Sequence, residues 1–238
     1  MNLWGITDIG AVRSDNQDSY AIERLDNQTA LAVVCDGMGG ARAGNVASRT
    51  AAEAFVASVK QNFAQGAGPG QVMLDAAAAA NERVHELSVA EEAYHGMGTT
   101  LVAALITPEK LYVVNVGDSR CYAIVNGDMT RVTRDHSLVE DLVERGEITP
   151  EQARNHPRKN LITRAVGVDR SVRADLFEVE NQGGYLVLCS DGLSNTVTDE
   201  ELRREVVAAD KEGCCQRLLR LALERGAPDN VTAVIAQL

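Results

Sequence analysis

The stretch TTLVAALITPEKLYVVNVGDSRCYAIVNGDMTRVT, residues 99–133, contains four apolar runs that are separated by short polar turns. The runs Thr99–Ile106, Leu111–Val116, Arg120–Val125 and Met129–Thr133 have the length and the branched residues typical of strands. Asn126-Gly127 is typical of a two-residue hairpin turn. Strands joined by such short turns favour antiparallel pairing, so this stretch predicts an antiparallel sheet.

The pattern continues on both sides of this stretch. Further strands are predicted at 3–7, 20–24, 29–35, 161–166, 172–180, 185–190 and 231–236, and longer helices at 46–63, 71–89 and 212–225. No linker, repeat or low-complexity segment interrupts the chain, and its first and last strands both look integral. We therefore expect one domain over residues 1–238 in the α+β class, with packed sheets and helices covering the outside.

Composition excludes several classes of protein. The 238 residues carry a formal net charge of -11, from 34 acidic and 23 basic residues, which disfavours nucleic-acid binding. The start of the chain lacks the features of a signal peptide, and no apolar stretch is long enough to span a bilayer. The five cysteines show no zinc-binding spacing and fit best as reduced thiols. These observations predict a cytoplasmic protein without membrane insertion.

The chemical signal is an aspartate that recurs at the ends of apolar runs. Asp36, Asp118 and Asp191 each follow a predicted strand, and Asp229 stands just before the last one. A single Asp-Gly pair is usually only a turn. Four aspartates at the ends of core strands are harder to explain as turns, because strand ends are rigid mounts from which carboxylates can converge.

Converged carboxylates repel one another and need a compensating cation. Oxygen ligands without cysteine or histidine favour hard ions such as Mg²⁺ or Mn²⁺. Two such ions can activate a water as nucleophile and stabilise charge on a phosphoryl group. Arg13, in the segment RSDNQD, is able to bind phosphate oxygens bidentately, although a single loop arginine is more often a surface charge. Gly37 lets the backbone approach an ion closely, and a plain flexible turn explains it equally well.

Seven segments together resemble the bacterial metal-dependent type 2C Ser/Thr protein phosphatases (PPM-type). They cover essentially the whole chain in the order of the family. The segments are RSDNQD (13–18), VCDGMGG (34–40), MGTT (97–100), NVGDSR (115–120), RDHSLVEDLVERGEITPEQARNHPRKNLITRAVG (134–167), CSDGL (189–193) and APDNVT (227–232).

The resemblance implies a four-layer α-β-β-α sandwich, in which two antiparallel sheets are flanked by pairs of helices and the metals lie in a cleft at one edge. It assigns two Mn²⁺ or Mg²⁺ ions to this cleft and a third, weaker site. Catalytic roles fall to Arg13, as the substrate-phosphate ligand, and to Asp36 and Asp191. The implied metal set is Asp36, Asp191, Asp229 and the Gly37 carbonyl as direct ligands, Asp18 through water, and Asp118 with Asp191 at the third ion.

The resemblance also implies a mobile flap over residues 136–160 beside the cleft, where an ordinary two-helix surface insertion is the alternative. Two positions depart from the family pattern. Gln17 replaces a glutamate of many relatives, and Met38 replaces a histidine that donates a proton in some relatives. Either His156 in the flap or metal-bound water is then left to protonate the leaving group.

The main hypothesis is a Ser/Thr phosphatase that hydrolyses phosphoserine and phosphothreonine on proteins by direct attack of a metal-activated water. Its expected partners are phosphorylated proteins, including a bacterial Ser/Thr kinase and its targets, and we expect a monomer. A catalytically silent module that recognises phosphoproteins is a second hypothesis, but such relatives usually lose metal aspartates. A different two-metal hydrolase, such as a nuclease, is a third, and the net charge argues against it.

Overall fold

Two antiparallel sheets pack face to face in the centre of the computed structural model. The structure describes residues 1–208 and 210–238, and for residues 40–42 the backbone alone. The first sheet has the order β1-β11-β10-β7-β8, and the second has the order β2-β3-β5-β6-β9, with β4 paired to β3. The strands are β1 (Asn2–Asp8), β2 (Asp18–Arg24), β3 (Ala30–Met38), β4 (Gly98–Thr99), β5 (Leu101–Ile106), β6 (Lys110–Val116), β7 (Arg120–Val125), β8 (Asp128–Arg131), β9 (Asp175–Glu180), β10 (Tyr185–Cys189) and β11 (Val231–Gln237).

Helices cover the outer faces of both sheets. The helices are α1 (Gly40–Ala64), α2 (Pro69–Ala90), α3 (Leu138–Glu144), α4 (Pro150–Arg154), α5 (Asp191–Ser194), α6 (Asp199–Val207) and α7 (Cys214–Glu224). α1 and α2 pack on the second sheet, and α6 and α7 pack on the first. This arrangement confirms the predicted α-β-β-α sandwich. Within the described residues, no helix is both long and apolar enough to cross a membrane.

Three apolar layers hold the sandwich together. Alternate residues of β3, such as Leu31 and Val33, point toward α1 and α2. Their neighbours Ala32 and Val34 point into the space between the sheets, where they meet Leu186 and Val234. Because side chains alternate along a strand, a central strand buried on both faces must be apolar throughout. This is why residues 30–35 form a continuous apolar run.

Two sequence predictions need correction. Short turns connect β6 to β7 and β9 to β10, but the members of each pair lie in different sheets and do not pair with each other. The predicted strand 161–166 makes only isolated bridges, from Ile162 to Ser137 and from Val166 to Thr99. Its two ends bind different partners, so no continuous ladder forms.

Candidate active site

Four aspartates from different parts of the chain line one cleft at an edge of the sandwich. Asp36 lies near the end of β3, Asp118 lies where the chain crosses between the sheets, Asp191 begins α5, and Asp229 precedes β11. All four line a cavity of about 480 Å³ together with Arg13. The structure therefore brings together the four aspartates that the sequence places at the ends of predicted strands.

Two threonines of the MGTT segment fix the backbone of Asp36. The Asp36 N–H donates to Thr100 Oγ1 at 2.9 Å, and the Thr100 N–H donates to the Asp36 carbonyl at 2.8 Å. Thr99 Oγ1 donates to the same carbonyl at 2.9 Å. These bonds leave the Asp36 carboxyl as the part of the residue that is available to the cleft.

Gly37, also on the cleft wall, stands where no side chain fits. A Cβ atom built on Gly37 would lie 2.0 Å from the carbonyl oxygen of Gly44. The Gly37 N–H donates to the carbonyl oxygen of Gln17 at 3.0 Å, which ties the end of β3 to the start of β2. A tight packing constraint therefore accounts for glycine here, alongside any role of its carbonyl.

Asp18 is buried and does not line the cleft wall. Ser190 Oγ donates to its Oδ2 at 2.7 Å, while its Oδ1 is buried without a hydrogen-bond partner among the described residues. Burial raises the pKa of Asp18 to about 7, and hydrogen bonds from Thr232 and Ser190 work against the rise. The unpartnered oxygen is a polar atom for which a cation or ordered water would compensate.

Burial and repulsion between neighbouring carboxylates also raise the pKa values of Asp36, Asp118 and Asp191. Burial, followed by the charges of neighbouring aspartates, raises the pKa of Asp36 well above its usual value. Burial and the charge of Asp191 raise the pKa of Asp118 to about 8. Burial and the charge of Asp229 raise the pKa of Asp191, which also shares a hydrogen bond with Asp36. The cleft thus concentrates negative charge that costs free energy unless a cation or proton neutralises it.

The donor set fits hard divalent cations. Five aspartates and one arginine are the charged residues among the described ones that line the cleft. No group of three or more described His, Cys, Asp or Glu side chains is arranged as a ready-made metal cluster. The carboxyls of Asp36 and Asp191 share a hydrogen bond, which requires a proton on one of them, and Asp229 Oδ2 accepts from Arg13 Nη2 at 2.7 Å. A cation would have to replace those contacts.

Arg13 forms an ion pair with Asp229, with Nη2 and Oδ2 separated by 2.7 Å. The Arg13 side chain is 54% exposed, so its remaining donors are free to meet a ligand in the cleft. The predicted phosphate-binding residue and a predicted metal ligand are therefore neighbours.

Asn230 is a structural part of the site that sequence reasoning missed. Its Oδ1 accepts from the Gln17 N–H at 2.8 Å, and its Nδ2 donates to the carbonyls of Ile9 and Asp15, both at 2.9 Å. This buried amide thereby holds the loop that carries Arg13. The sequence shows only that an asparagine directly follows Asp229. Its hydrogen-bond partners are more than 200 residues away in the chain, so local sequence does not reveal its role.

The predicted flap, residues 136–160, reaches the cleft through its last residue, Asn160. Ile162, just beyond it, also lines the cleft, as do the two family departures Gln17 and Met38. His156 is not among the described cleft residues, and its Nδ1 accepts from the Arg158 N–H at 3.1 Å. No other histidine of the described chain lines the cleft either.

Comparison with known proteins shows similarity over nearly the whole chain. The family model for Protein phosphatase 2C matches residues 11–217. The serine/threonine phosphatase stp of Listeria monocytogenes is 38% identical over 238 residues, covering 97% of this chain and 93% of the relative. The crystal structure of Mycobacterium tuberculosis PstP/Ppp is 37% identical, with a TM-score of 0.91 and coverage of 100% of this chain and 98% of that one. A PstP catalytic domain solved with 2 manganese ions is 35% identical, with a TM-score of 0.87 and coverage of 99% and 97%.

Proposed function

Because the chain belongs to the protein phosphatase 2C family, we propose that its aspartate-lined cleft hydrolyses phosphoserine and phosphothreonine esters in other proteins. The protein is a Ser/Thr phosphoprotein phosphatase. The observation that carries the proposal is the convergence of four strand-end aspartates and Arg13 on one cleft. A phosphate monoester is extremely inert, so its hydrolysis needs strong electrostatic assistance at the site of attack.

We assign the metal ligands to this cleft. Asp36, the Gly37 carbonyl, Asp191 and Asp229 would hold two Mn²⁺ or Mg²⁺ ions directly, Asp18 would orient water at them, and Asp118 with Asp191 would hold a weaker third ion. The bound ions supply an activated water and neutralise charge on the phosphoryl group. The raised pKa values of Asp36 and Asp118 support the assignment, because such carboxylates gain most from a cation. The manganese-bound PstP structure supports the choice of metal.

Arg13 would bind the phosphate of the substrate. Its guanidinium would exchange the carboxylate of Asp229 for phosphate oxygens, which frees Asp229 for a metal. The exchange costs little, since the pair is partly exposed and such ion pairs contribute little stability. A guanidinium also matches two phosphate oxygens at once, which orients the phosphoryl group for attack from the metal side.

Water would protonate the departing serine or threonine oxygen. The support is that Met38 occupies the position of a proton-donating histidine and that no described histidine lines the cleft. His156 remains the alternative if the flap moves toward the substrate. The two proton sources predict different effects of His156→Ala on substrates with poor and with good leaving groups.

We further propose that residues 1–238 form one catalytic domain, with a flap at 136–160, that acts as a monomer in the cytoplasm. The physiological substrates would be a Ser/Thr kinase and the proteins that it phosphorylates. The relatives that are named serine/threonine phosphatases support the substrate class. The kinase is inferred only from the need for an enzyme that makes phosphoserine and phosphothreonine.

The test is metal-dependent release of phosphate. Purified protein should hydrolyse p-nitrophenyl phosphate and a phosphothreonine peptide with Mn²⁺, and EDTA should stop both reactions. Asp191→Ala should abolish turnover, because it removes a direct metal ligand that is also assigned to the weaker third ion. Binding of phosphopeptide without turnover in any divalent ion would instead indicate the silent binding module.

A further inference from the structure

A second cavity, of about 500 Å³, continues from the cleft underneath the flap. It shares Asp118 and Asp191 with the cleft, so the two spaces join at these carboxylates. Residues of α3, α4 and the turn after α4 line it, together with residues 194–199 and residues of β7 and β8. We call this space the flap groove. An extended polypeptide advances by roughly 3.4 Å per residue, so residues beside a bound phosphoresidue lie within reach of the groove.

The flap groove offers apolar contacts to a polypeptide. The apolar residues that line it are Val139, Val143, Pro150, Ala153 and Val197. Most of them belong to the flap. Val139 and Val197 are largely buried, so Val143, Pro150 and Ala153 supply most of the accessible apolar surface. A strip of this kind favours the backbone and aliphatic stems of a bound segment without selecting one side chain.

The cationic side chains that line the groove differ in their ion pairing. Arg120 donates three hydrogen bonds to Asp135, and Arg131 lies 3.6 Å from the same carboxylate. Arg154 and Lys159 lie on the flap, and their side chains make no hydrogen bond or close ion pair with any described residue. Two cations of the groove are therefore available to a ligand.

The carboxylates of the groove do not already use these cations. Glu140 is paired with Arg131, and Asp199 is the first residue of α6, where the helix N-terminus favours a negative charge. Lys159 lines the groove together with Asp191, and its chain neighbour Asn160 lines the cleft. Lys159 therefore lies near the junction between the groove and the cleft.

We propose that the flap groove binds the substrate segment next to the phosphorylated residue and selects acidic side chains there, through Arg154 and Lys159. This inference rests on the proposed phosphatase function. The enzyme would then discriminate among phosphoproteins by the charge that flanks the phosphoresidue. The cleft alone cannot do so, because it contacts only the phosphate and its immediate surroundings.

Phosphothreonine peptides that differ only in flanking charge test the proposal. In one series, three glutamates or three lysines precede the phosphothreonine. In the other series, they follow it. The kcat/KM of each peptide is measured with Mn²⁺. We expect the glutamate peptide to be preferred about tenfold in one series, which corresponds to two partly exposed charge pairs. Arg154→Gln with Lys159→Gln should reduce the ratio to about twofold or less, and the double change to glutamate should invert it.

Arg145→Gln is the matched control, because Arg145 is an exposed flap arginine that does not line the groove. It should leave the glutamate-to-lysine ratio unchanged. A wild-type ratio near one in both series, with p-nitrophenyl phosphate still hydrolysed, would overturn the groove assignment and leave the phosphatase function intact. A wild-type protein that hydrolyses neither peptides nor p-nitrophenyl phosphate would overturn the function and this inference with it.

Discussion

Arg13 and Asp229, both of which have proposed roles in the site, form an ion pair with each other. Their 2.7 Å ion pair joins the proposed phosphate ligand to a proposed metal ligand. Each side chain has a stronger prospective partner, since phosphate carries more charge than a carboxylate and a divalent ion more than a guanidinium. If both residues have the proposed roles, binding of metal and phosphate in the cleft requires this ion pair to open.

Two substitutions of Arg13 should distinguish the contribution of its positive charge from that of its planar, two-pronged guanidinium. We expect Arg13→Ala to lower kcat/KM for phosphopeptides on the order of 100-fold, because charge-assisted hydrogen bonds to the phosphate are lost. Arg13→Lys should recover only part of the loss, since an ammonium cannot bind two oxygens in a fixed fork. Steady-state kinetics at saturating Mn²⁺ would measure both. Full activity of Arg13→Ala would contradict the role in phosphate binding.

The source of the leaving-group proton can be tested at His156. If water supplies the proton, His156→Ala should change hydrolysis of phosphoserine peptides and of aryl phosphates by the same small factor. If His156 is the acid, the variant should slow phosphoserine peptides strongly and spare aryl phosphates, because a good leaving group needs no proton. His95→Ala, which changes an exposed loop histidine, serves as the control.

Individual site residues differed in how far the sequence could predict them. The aspartates were accessible because each stands at the end of an apolar run, and a strand end is a position that local pattern reveals. The supporting roles of Asn230 and Thr100 were not accessible. Their hydrogen bonds reach Ile9 and Asp36, far away in the chain, and only the folded arrangement brings these partners together.

His136, at the start of the flap, is hydrogen-bonded to the loop that carries Asp118. The backbone N–H of His136 donates to the Gly117 carbonyl at 2.9 Å, and the ring Nδ1 of His136 accepts from the Gly117 backbone N–H at 3.1 Å. The Thr163 N–H, at the other end of the flap, donates to the His136 carbonyl at 2.8 Å. Asp175 binds both the His136 ring and Arg164. Both ends of the flap are thus fastened at one buried residue.

Loss of these hydrogen bonds should loosen the flap. We expect His136→Ala to speed amide hydrogen exchange in residues 138–160 about tenfold or more, since the Gly117 N–H is left buried without its acceptor. Exchange in β3 and β11 should change much less. Mass-spectrometric hydrogen exchange would measure both regions, and His95→Ala again provides the control. Unchanged exchange in the flap would show that other contacts hold it.

Strand positions were easier to predict from the sequence than strand pairings. The apolar runs and Asn126-Gly127 located β5 to β8, and the β7–β8 hairpin formed as expected. The connection through Gly117 and Asp118 is only one residue longer than this turn, yet it crosses to the other sheet. Local turn chemistry does not distinguish a hairpin from such a crossing, because the choice depends on which face each strand buries in the whole sandwich.

The cleft belongs to the whole molecule, because both sheets contribute to it. Asp36 comes from the second sheet, Asp191 and Asp229 flank strands of the first, and Asp118 lies at the crossing between them. Packing of the two sheets therefore brings like charges together. Stability of the fold and binding of cations must be linked, since a ligand that binds only the folded state stabilises it.

This linkage predicts that the free energy of unfolding falls with rising pH in EDTA, and that it does not fall in Mn²⁺. Burial raises the pKa of Asp18 to about 7 and of Asp118 to about 8, so the folded state retains protons that the unfolded chain releases near pH 4. Stability in EDTA should therefore fall as pH rises from 6.5 to 8, on the order of 1–2 kcal/mol. Below pH 6.5 the lowered pKa of His136, caused by burial, acts in the opposite direction, which is why the window starts there.

Metal should reverse the trend, because cations bind the deprotonated carboxylates and displace their protons. Thermal unfolding in saturating Mn²⁺ should give a Tm that holds or rises from pH 6.5 to 8, while the Tm in EDTA falls. Asp118→Asn should flatten the EDTA slope, whereas Asp75→Asn, at an exposed position of α2, should leave it unchanged. If the Tm in EDTA rose with pH in the wild type and in Asp118→Asn alike, the cleft carboxyls would not be the charge that opposes folding, and the main argument for cation binding would be lost.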